Sequence, residues 1–441
     1  MNLDFIKKYN LVRTTLIGLL FWIALFILFP LKVKYELSLM AVLFILFNYV
    51  FFLLGLTAVK STPKHKEAKF TINILVLKHI MKFIIVLALL GFILKVLDKF
   101  YIRETSFDNT MSENRVLLEK SGPSVISIIS AIINPLSFIP LFIYYYIGEK
   151  NRWVHMICIF LFFSASLEFI VLGSRSGLFI LLILFGLYLF FFKRIKLTPS
   201  KLVIIGVILF SLGTYSINLF IKRTTDFTKS DEKSVRHILT RANYNFTIEP
   251  TEKTKNAIIE SKNGIYRSSY LGLTNFVQYY LHGMYEFGYL YDNYDSGHHY
   301  GAFTFNIFAK FSNIILRTNF DLEKIQKSPP RTGIYTTFFG PIFVDFGWIS
   351  LIFMFFFGVF QKAIYNRALM GRIQYIPLLF YFLIINFFFP VINFLNGAQG
   401  LYTISAFILF AIIYTLLSGK IIVSKKDNKI KYVRILKLIK K

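Results

Sequence analysis

The sequence predicts an all-α, polytopic integral membrane protein with about ten transmembrane helices and one large external loop. Three observations carry that expectation. The 441 residues are 56% hydrophobic and include 52 Phe, above the roughly 45–50% apolar content of soluble domains. Apolar runs of about 18 residues or more, enough to cross roughly 30 Å of hydrocarbon, recur along the chain. No period-two alternation marks a strand.

In order, the apolar segments are 14–33, 37–59, 80–97, 123–147, 154–172, 177–192, 202–220, 336–360, 375–394 and 401–418. In the third, Lys82 and Lys95 flank the apolar centre and can snorkel to opposite interfaces. The sixth is short and can take in residues 174–176. The chain therefore divides into spans one to seven (1–220), a large extracytoplasmic loop (221–335), spans eight to ten (336–419) and a basic tail (420–441).

A net charge of +27 on a soluble protein would point to nucleic acid. Here the basic residues collect in alternate loops, as expected of loops held in the cytoplasm. Lys7, Lys8 and Arg13 precede the first span, and Lys60, Lys64, Lys66 and Lys69 follow the second. Lys193, Arg194, Lys196 and Lys201 follow the sixth, Lys362, Arg367 and Arg372 the eighth, and the tail is rich in Lys. Loop 98–122, by contrast, balances four basic against five acidic residues. One arrangement satisfies the pattern: both termini cytoplasmic and 221–335 outside. The first span has a basic flank but no small-residue cleavage site after it, so it reads as an uncleaved anchor. Cys158, the single cysteine, allows neither a disulfide nor a cysteine metal cluster. Neither a metal nor a cofactor is expected.

Ionisable groups inside apolar segments are costly and point to function. Glu168 precedes the turn Gly173-Ser174-Arg175-Ser176-Gly177. Arg175 can pair with Glu168 as a structural tie, or its planar guanidinium can bind an anion with backbone N–H groups beside it. Asp345 lies in the eighth segment; it can act as a base in a desolvated setting or bond a neighbour such as Asn386 or Asn393.

The external loop has two parts. Residues 222–262 are strongly charged and read as exposed and partly mobile. From Tyr266 onward, Tyr270, Leu271, Leu273, Phe276, Val277, Tyr280, Leu281, Met284, Tyr285 and Phe287 recur at helical spacing, ringed by Tyr279 and Tyr289. That pattern reads as an amphipathic interfacial helix. Its tyrosines are either interfacial anchors or platforms for sugar rings. His282, His298 and His299 lack zinc-ligand spacing; a neutral imidazole among them can take a proton from a hydroxyl. Arg317 and Arg331 flank the approach to the eighth span, and Pro329-Pro330 holds Arg331 in an extended segment.

Three features taken together resemble a known family. They are Leu172-Gly173-Ser174-Arg175-Ser176-Gly177-Leu178-Phe179, the late loop with His299-Tyr300-Gly301-Ala302-Phe303-Thr304-Phe305, and Gly333-Ile334-Tyr335-Thr336-Thr337-Phe338-Phe339 followed by Asp345-Phe346-Gly347-Trp348. Across residues 160–360 the chain resembles the bacterial oligosaccharide repeat-unit polymerases of O-antigen and capsule synthesis. The resemblance implies a glycosyltransferase on the outer face of the bacterial cytoplasmic membrane. A growing glycan would pass from undecaprenyl pyrophosphate onto a new lipid-linked repeat unit. Arg175, Arg331 and Arg317 would meet the diphosphate, His299, His282 or Asp345 would be the base, and Tyr279 and Tyr300 would contact substrate. Implied partners are undecaprenyl-pyrophosphate-linked oligosaccharides, the lipid bilayer, a chain-length regulator and a flippase, with no nucleic acid. A lipid-linked oligosaccharide flippase and the related O-antigen ligase are the competing expectations. The concentration of polarity in one loop and the lack of visible repeats weigh against a transporter.

Overall fold

The structure, a computed structural model, describes residues 3–8, 10–60, 74–106, 125–164, 175–194, 230–261, 263–396 and 398–418, with a few single positions between them. It is a helical bundle of membrane character. Six helical stretches are long and apolar enough to cross a bilayer among the described residues: Leu11–Leu28, Leu39–Ala58, Ile74–Ile102, Val125–Ile147, Phe339–Leu369 and Gly400–Ser418. Shorter apolar helices, Arg152–Ser164, Ile180–Phe191 and Ile373–Phe387, fall within the expected segments 154–172, 177–192 and 375–394 to within a few residues. Segment 202–220 lies largely outside the described residues.

The chain opens with α1 (Leu3–Lys8) and α2 (Leu11–Leu28), the second capped where the Asn10 side chain accepts from Arg13 N at 2.9 Å. After a short strand β1 (Leu31–Val33), Ser38 caps α3 (Leu39–Ala58). Then come α4 (Ile74–Val96), α5 (Val125–Ile133), α6 (Phe138–Ile147), α7 (Arg152–Ser164) and α8 (Arg175–Phe191). A 3₁₀ turn at Asn134–Ser137 interrupts the fourth expected segment, where Pro135 removes a backbone donor.

Close helix crossings hold the bundle. In apolar surroundings there is no hydrophobic drive between helices, so small residues that let backbones approach carry the packing. Gly55 on α3 faces Gly358 on α15 (Ser350–Leu369). A Cβ at Gly55 would strike the Phe355 carbonyl oxygen, and one at Gly358 the Phe52 carbonyl oxygen. Gly18 on α2 meets Phe387 at the end of α16 (Ile376–Phe387) in the same way. Gly55→Leu is therefore expected to force α3 and α15 apart and destabilise the protein by about 2–3 kcal/mol or more. Thermal unfolding in detergent reads it; an unchanged midpoint would contradict this crossing.

The polar connections expected to be loops are partly folded. Residues 230–261 form α9 (Asp231–Arg241), β2 (Ile248–Pro250) and α10 (Glu252–Ile259). Val235, Ile238, Leu239 and Ile258 pack with Leu271 in a small separate core. β2 pairs antiparallel with β1, Lys32 opposite Glu249, so among the described residues the helices are joined by one two-stranded ribbon. The expectation of an exposed, partly mobile segment does not hold for residues 230–261. Its few apolar residues sit on one helix face and find a partner outside the segment.

The largest departure concerns α11 (Gly264–Asn293), 30 residues long. Its part from Val277 onward does not lie on the surface, although Ile265, Tyr266, Leu273 and Phe276 are exposed. Val277, Tyr280, Leu281, Met284, Phe287 and Leu290 are in the main core. Gly283 lies against the Val391 carbonyl and Gly288 against Leu37. Its C-terminal end is tied to the start of α3, because Asp292 accepts from Tyr35 Oη at 2.8 Å and Ser38 Oγ at 2.6 Å. Beyond it run α12 (Asn306–Ile315), α13 (Leu322–Lys327), α14 (Phe339–Phe346), α15, α16 and α17 (Ala398–Ser418).

The bundle has two unlike ends. At one, Asn366 donates to the Lys60 carbonyl at 3.1 Å, Lys78 pairs with Glu149 at 3.0 Å, and Arg194 and Arg367 lie over Tyr145 and Tyr375. This end is basic. The other carries the β1–β2 ribbon, α11 and the 294–336 segment.

Candidate functional site

The non-basic end gathers most of the polar groups singled out in the sequence into two adjacent clusters. The first is a seam on α11. Gln278, His282 and Glu286 are spaced four residues apart, so they stack on one helix face. Each is at most 1% exposed. Residues 243–248 bond Gln278 and Glu286. Gln278 Nε2 donates to Asn245 Oδ1 at 2.6 Å and to the Ile248 carbonyl at 2.7 Å. Glu286 Oε1 accepts from Thr247 Oγ1 at 2.9 Å.

His282 Nδ1 faces the Tyr279 carbonyl at 2.7 Å, which makes Nδ1 the protonated nitrogen. Nε2 then carries a lone pair, and it is buried with no partner among the described residues. Tyr244, Tyr279 and Tyr335 surround the ring at centroid distances of 4.6, 5.7 and 6.4 Å. Burial pulls the His282 pKa down to about 4, because desolvation disfavours the cation. It is a neutral acceptor in an aromatic cup, closed to solvent in this arrangement.

Arg331 closes the seam. Nη1 donates to Glu286 Oε1 at 3.1 Å, Nη2 to the Asn243 carbonyl at 3.0 Å, and the guanidinium lies 3.9 Å over the Phe246 ring. Two of its five N–H groups are thus committed to protein. Burial pushes the Glu286 carboxyl up from its ordinary range, and Arg331 and Thr247 oppose that. Arg331→Met removes the opposing charge, so the Glu286 pKa should rise further above its unfolded value. The folded state then holds the proton more tightly than the unfolded one, and stability falls as pH rises. Arg331→Met is expected to be clearly less stable at pH 8 than at pH 5, by about 1–3 kcal/mol, with wild type much flatter. Equal losses at both pH values would contradict a buried carboxylate here.

The second cluster is built on Asp345 of α14, which is 0% exposed. Oδ1 accepts from Phe303 N at 2.9 Å and Oδ2 from Thr304 N at 2.7 Å. The Asp345 carbonyl accepts from Tyr300 N at 2.9 Å. Tyr300 at φ 51° and Gly301 at φ 99° take left-handed conformations, which wrap the 299–304 backbone around the carboxylate. Both carboxylate oxygens accept backbone N–H groups, so Asp345 holds this turn. The neighbours foreseen for it are otherwise engaged: Asn386 pairs with Gln361, and Asn393 donates to the Phe338 carbonyl.

That turn presents His299. Ser328 Oγ lies 2.8 Å from the Ile325 carbonyl and donates to it, so at 3.0 Å from His299 Nε2 it accepts. Nε2 is therefore the N–H, and Nδ1 holds the lone pair. Burial lowers the His299 pKa, and Asp345 partly offsets this. His299 is half-buried and neutral at pH 7, with an acceptor nitrogen at the polar end of the bundle. Arg331 follows Ser328 by three residues, at most roughly 10 Å of chain, so the two clusters adjoin.

Other foreseen residues fall differently. Tyr300 is 81% exposed beside His299. Arg317 is exposed at φ 54° on the turn after α12. His298 packs against Gly347, where a Cβ would strike its ring. Arg175 begins α8, but its side chain and Glu168 lie outside the described residues. Gln278, Glu286, Tyr244 and Ser328 were not singled out from sequence, although the 278–282–286 spacing was visible there. No family model, curated protein or solved structure matches this chain.

Proposed function

We propose that the chain is a membrane glycosyltransferase of the repeat-unit polymerase type, working at the non-basic end of its bundle. The observation that carries the reading is His299: a neutral imidazole, its tautomer fixed by Ser328 and its turn held by a buried carboxylate, with exposed Tyr300 next to it in the chain and Arg331 three residues beyond Ser328. A base poised this way suits deprotonation of a sugar hydroxyl.

The basic end faces the cytoplasm under the positive-inside rule. With segment 202–220 as a further span, the chain crosses ten times, both termini are cytoplasmic and residues 221–335 form the large external loop. The bilayer is then the bacterial cytoplasmic membrane. In the reaction, the hydroxyl oxygen of the incoming lipid-linked repeat attacks the anomeric carbon of the growing glycan. The bond from that carbon to the undecaprenyl pyrophosphate oxygen breaks. The proton moves to His299 Nδ1, and the diphosphate leaves with the negative charge. Arg331 stabilises that charge with its uncommitted N–H groups, aided by Arg175 and Arg317. Tyr279 and Tyr300 offer apolar ring faces to sugars, with Tyr244 and Tyr335 completing the rim. His282 is a second acceptor, reached only if the cup opens.

The test is purified protein in liposomes with a synthetic undecaprenyl-pyrophosphate-linked repeat unit. A ladder of longer glycans is expected. Translocation between leaflets without lengthening would replace this reading with a flippase.

A further inference from the structure

α12 and the turn after it form an exposed apolar knob. Ile314, Ile315 and Leu316 are 62%, 72% and 70% exposed, and Phe308, two turns before Ile315, is 53% exposed. Phe308 and Ile315 are seven residues apart and so share a face. The knob is rigid. Leu316 N donates to the Ser312 carbonyl at 2.8 Å, Thr318 Oγ1 donates to Asn313 Oδ1 at 2.8 Å, and Asn313 and Phe320 exchange two bonds at 2.8 and 3.0 Å. Arg317 sits at φ 54° within this turn. Contiguous apolar side chains held in the open mark a binding surface.

Continuity and charge identify the occupant. α12 packs against α17, a membrane-spanning helix. Phe305, just before α12, stacks on Phe308 and reaches Phe353 of α15 at 6.1 Å. Beside Phe353, Ile349, Ile352 and Phe356 are 62%, 57% and 61% exposed on the outer wall of that span. The knob thus extends the lipid-facing wall. Lys310 and Arg317 border it with positive charge, which complements lipid phosphates at the depth where amphipathic helices rest.

We infer that the α12 knob inserts into the headgroup–acyl boundary of the adjacent bilayer leaflet, with Ile314, Ile315 and Leu316 among the acyl chains and Arg317 at the phosphates. Through Phe303 N and Thr304 N on Asp345 and Ser328 on His299, the inserted knob fixes the height of the His299 turn above the lipid. The inference rests on membrane embedding and stands whether or not the chain is a polymerase.

The experiment places an environment-sensitive fluorophore on Ile315→Cys in the full chain, with buried Cys158 replaced by alanine. Asp295→Cys, exposed at the same end, is the comparison. In phosphatidylglycerol–phosphatidylethanolamine liposomes the probe at 315 is expected to emit at shorter wavelength than that at 295. Acyl-chain spin-labelled lipid should quench it several-fold more strongly. Leu316→Cys repeats the reading if Ile315→Cys does not fold. Water-like emission without lipid quenching at both positions would overturn the inference. Blue-shifted emission that lipid does not quench, with 315–315 disulfides between chains, would overturn it in favour of a second copy as occupant.

Discussion

Replacing His299 with alanine is expected to cut glycan elongation by about 10²- to 10⁴-fold, the range a positioned general base supplies, while the protein stays folded in the membrane. His299 is half-buried and forms one side-chain hydrogen bond, to Ser328, so its loss costs little stability. Ser328→Ala keeps the imidazole but removes the acceptor that fixes Nε2–H; a smaller loss, about tenfold, is expected. The pH dependence follows from burial, which holds the His299 pKa below 6.5. Elongation should be flat near pH 7 and fall only as pH drops below 6.5, when the imidazole gains its proton. Full elongation by His299→Ala would remove the assigned base and leave the buried His282 as the other imidazole considered for that role.

Asp345 is expected to give the larger structural effect. Asp345→Ala leaves the buried N–H groups of Phe303 and Thr304 without acceptors. Each unmet donor costs about 1–3 kcal/mol, more when the lost acceptor was charged, so destabilisation of roughly 3 kcal/mol or more is expected. Asp345→Asn keeps one acceptor but turns an amide NH₂ toward the other N–H. Both variants should open residues 299–304 to protease and lose elongation. A further readout separates positioning from mere folding. The Asp345 charge raises the His299 pKa, so the residual activity of Asp345→Asn should show its acid limb at lower pH than wild type. A protease-resistant turn in Asp345→Ala would contradict the role assigned to the carboxylate.

The membrane character was legible because long apolar runs have few other uses in a chain of this size. Runs near 14–33, 37–59 and 401–418 appear as Leu11–Leu28, Leu39–Ala58 and Ala398–Ser418. The large polar region was harder to read, for specific reasons. Each ribbon strand has three residues, too few to show alternation. Val235, Ile238 and Leu239 look sparse until Leu271 from α11 covers them. α11 reads as interfacial because its apolar stripe is wide and Gln278, His282 and Glu286 break it. Those same residues are buried, since the 243–248 segment bonds Gln278 and Glu286 and packs Tyr244 on His282 across a chain separation that local pattern does not report. Asp345 could be seen as out of place, yet its partners are backbone N–H groups of a turn 41 and 42 residues earlier. Arg331 was legible as a cation near the site; its commitment to Glu286 was not.

The central claim is that glycan elongation takes place at the non-basic end of the bundle, on the external face. One measurement tests it directly. Asp295→Cys, exposed four residues before His299, is reacted with a bulky membrane-impermeant maleimide in vesicles of known orientation, with buried Cys158 replaced, and the glycan ladder is then read. The account predicts that reagent on the external side modifies the cysteine and stops elongation, while reagent confined to the cytoplasmic side does neither. An undiminished ladder after complete external modification, or modification only from the cytoplasmic side, would contradict it.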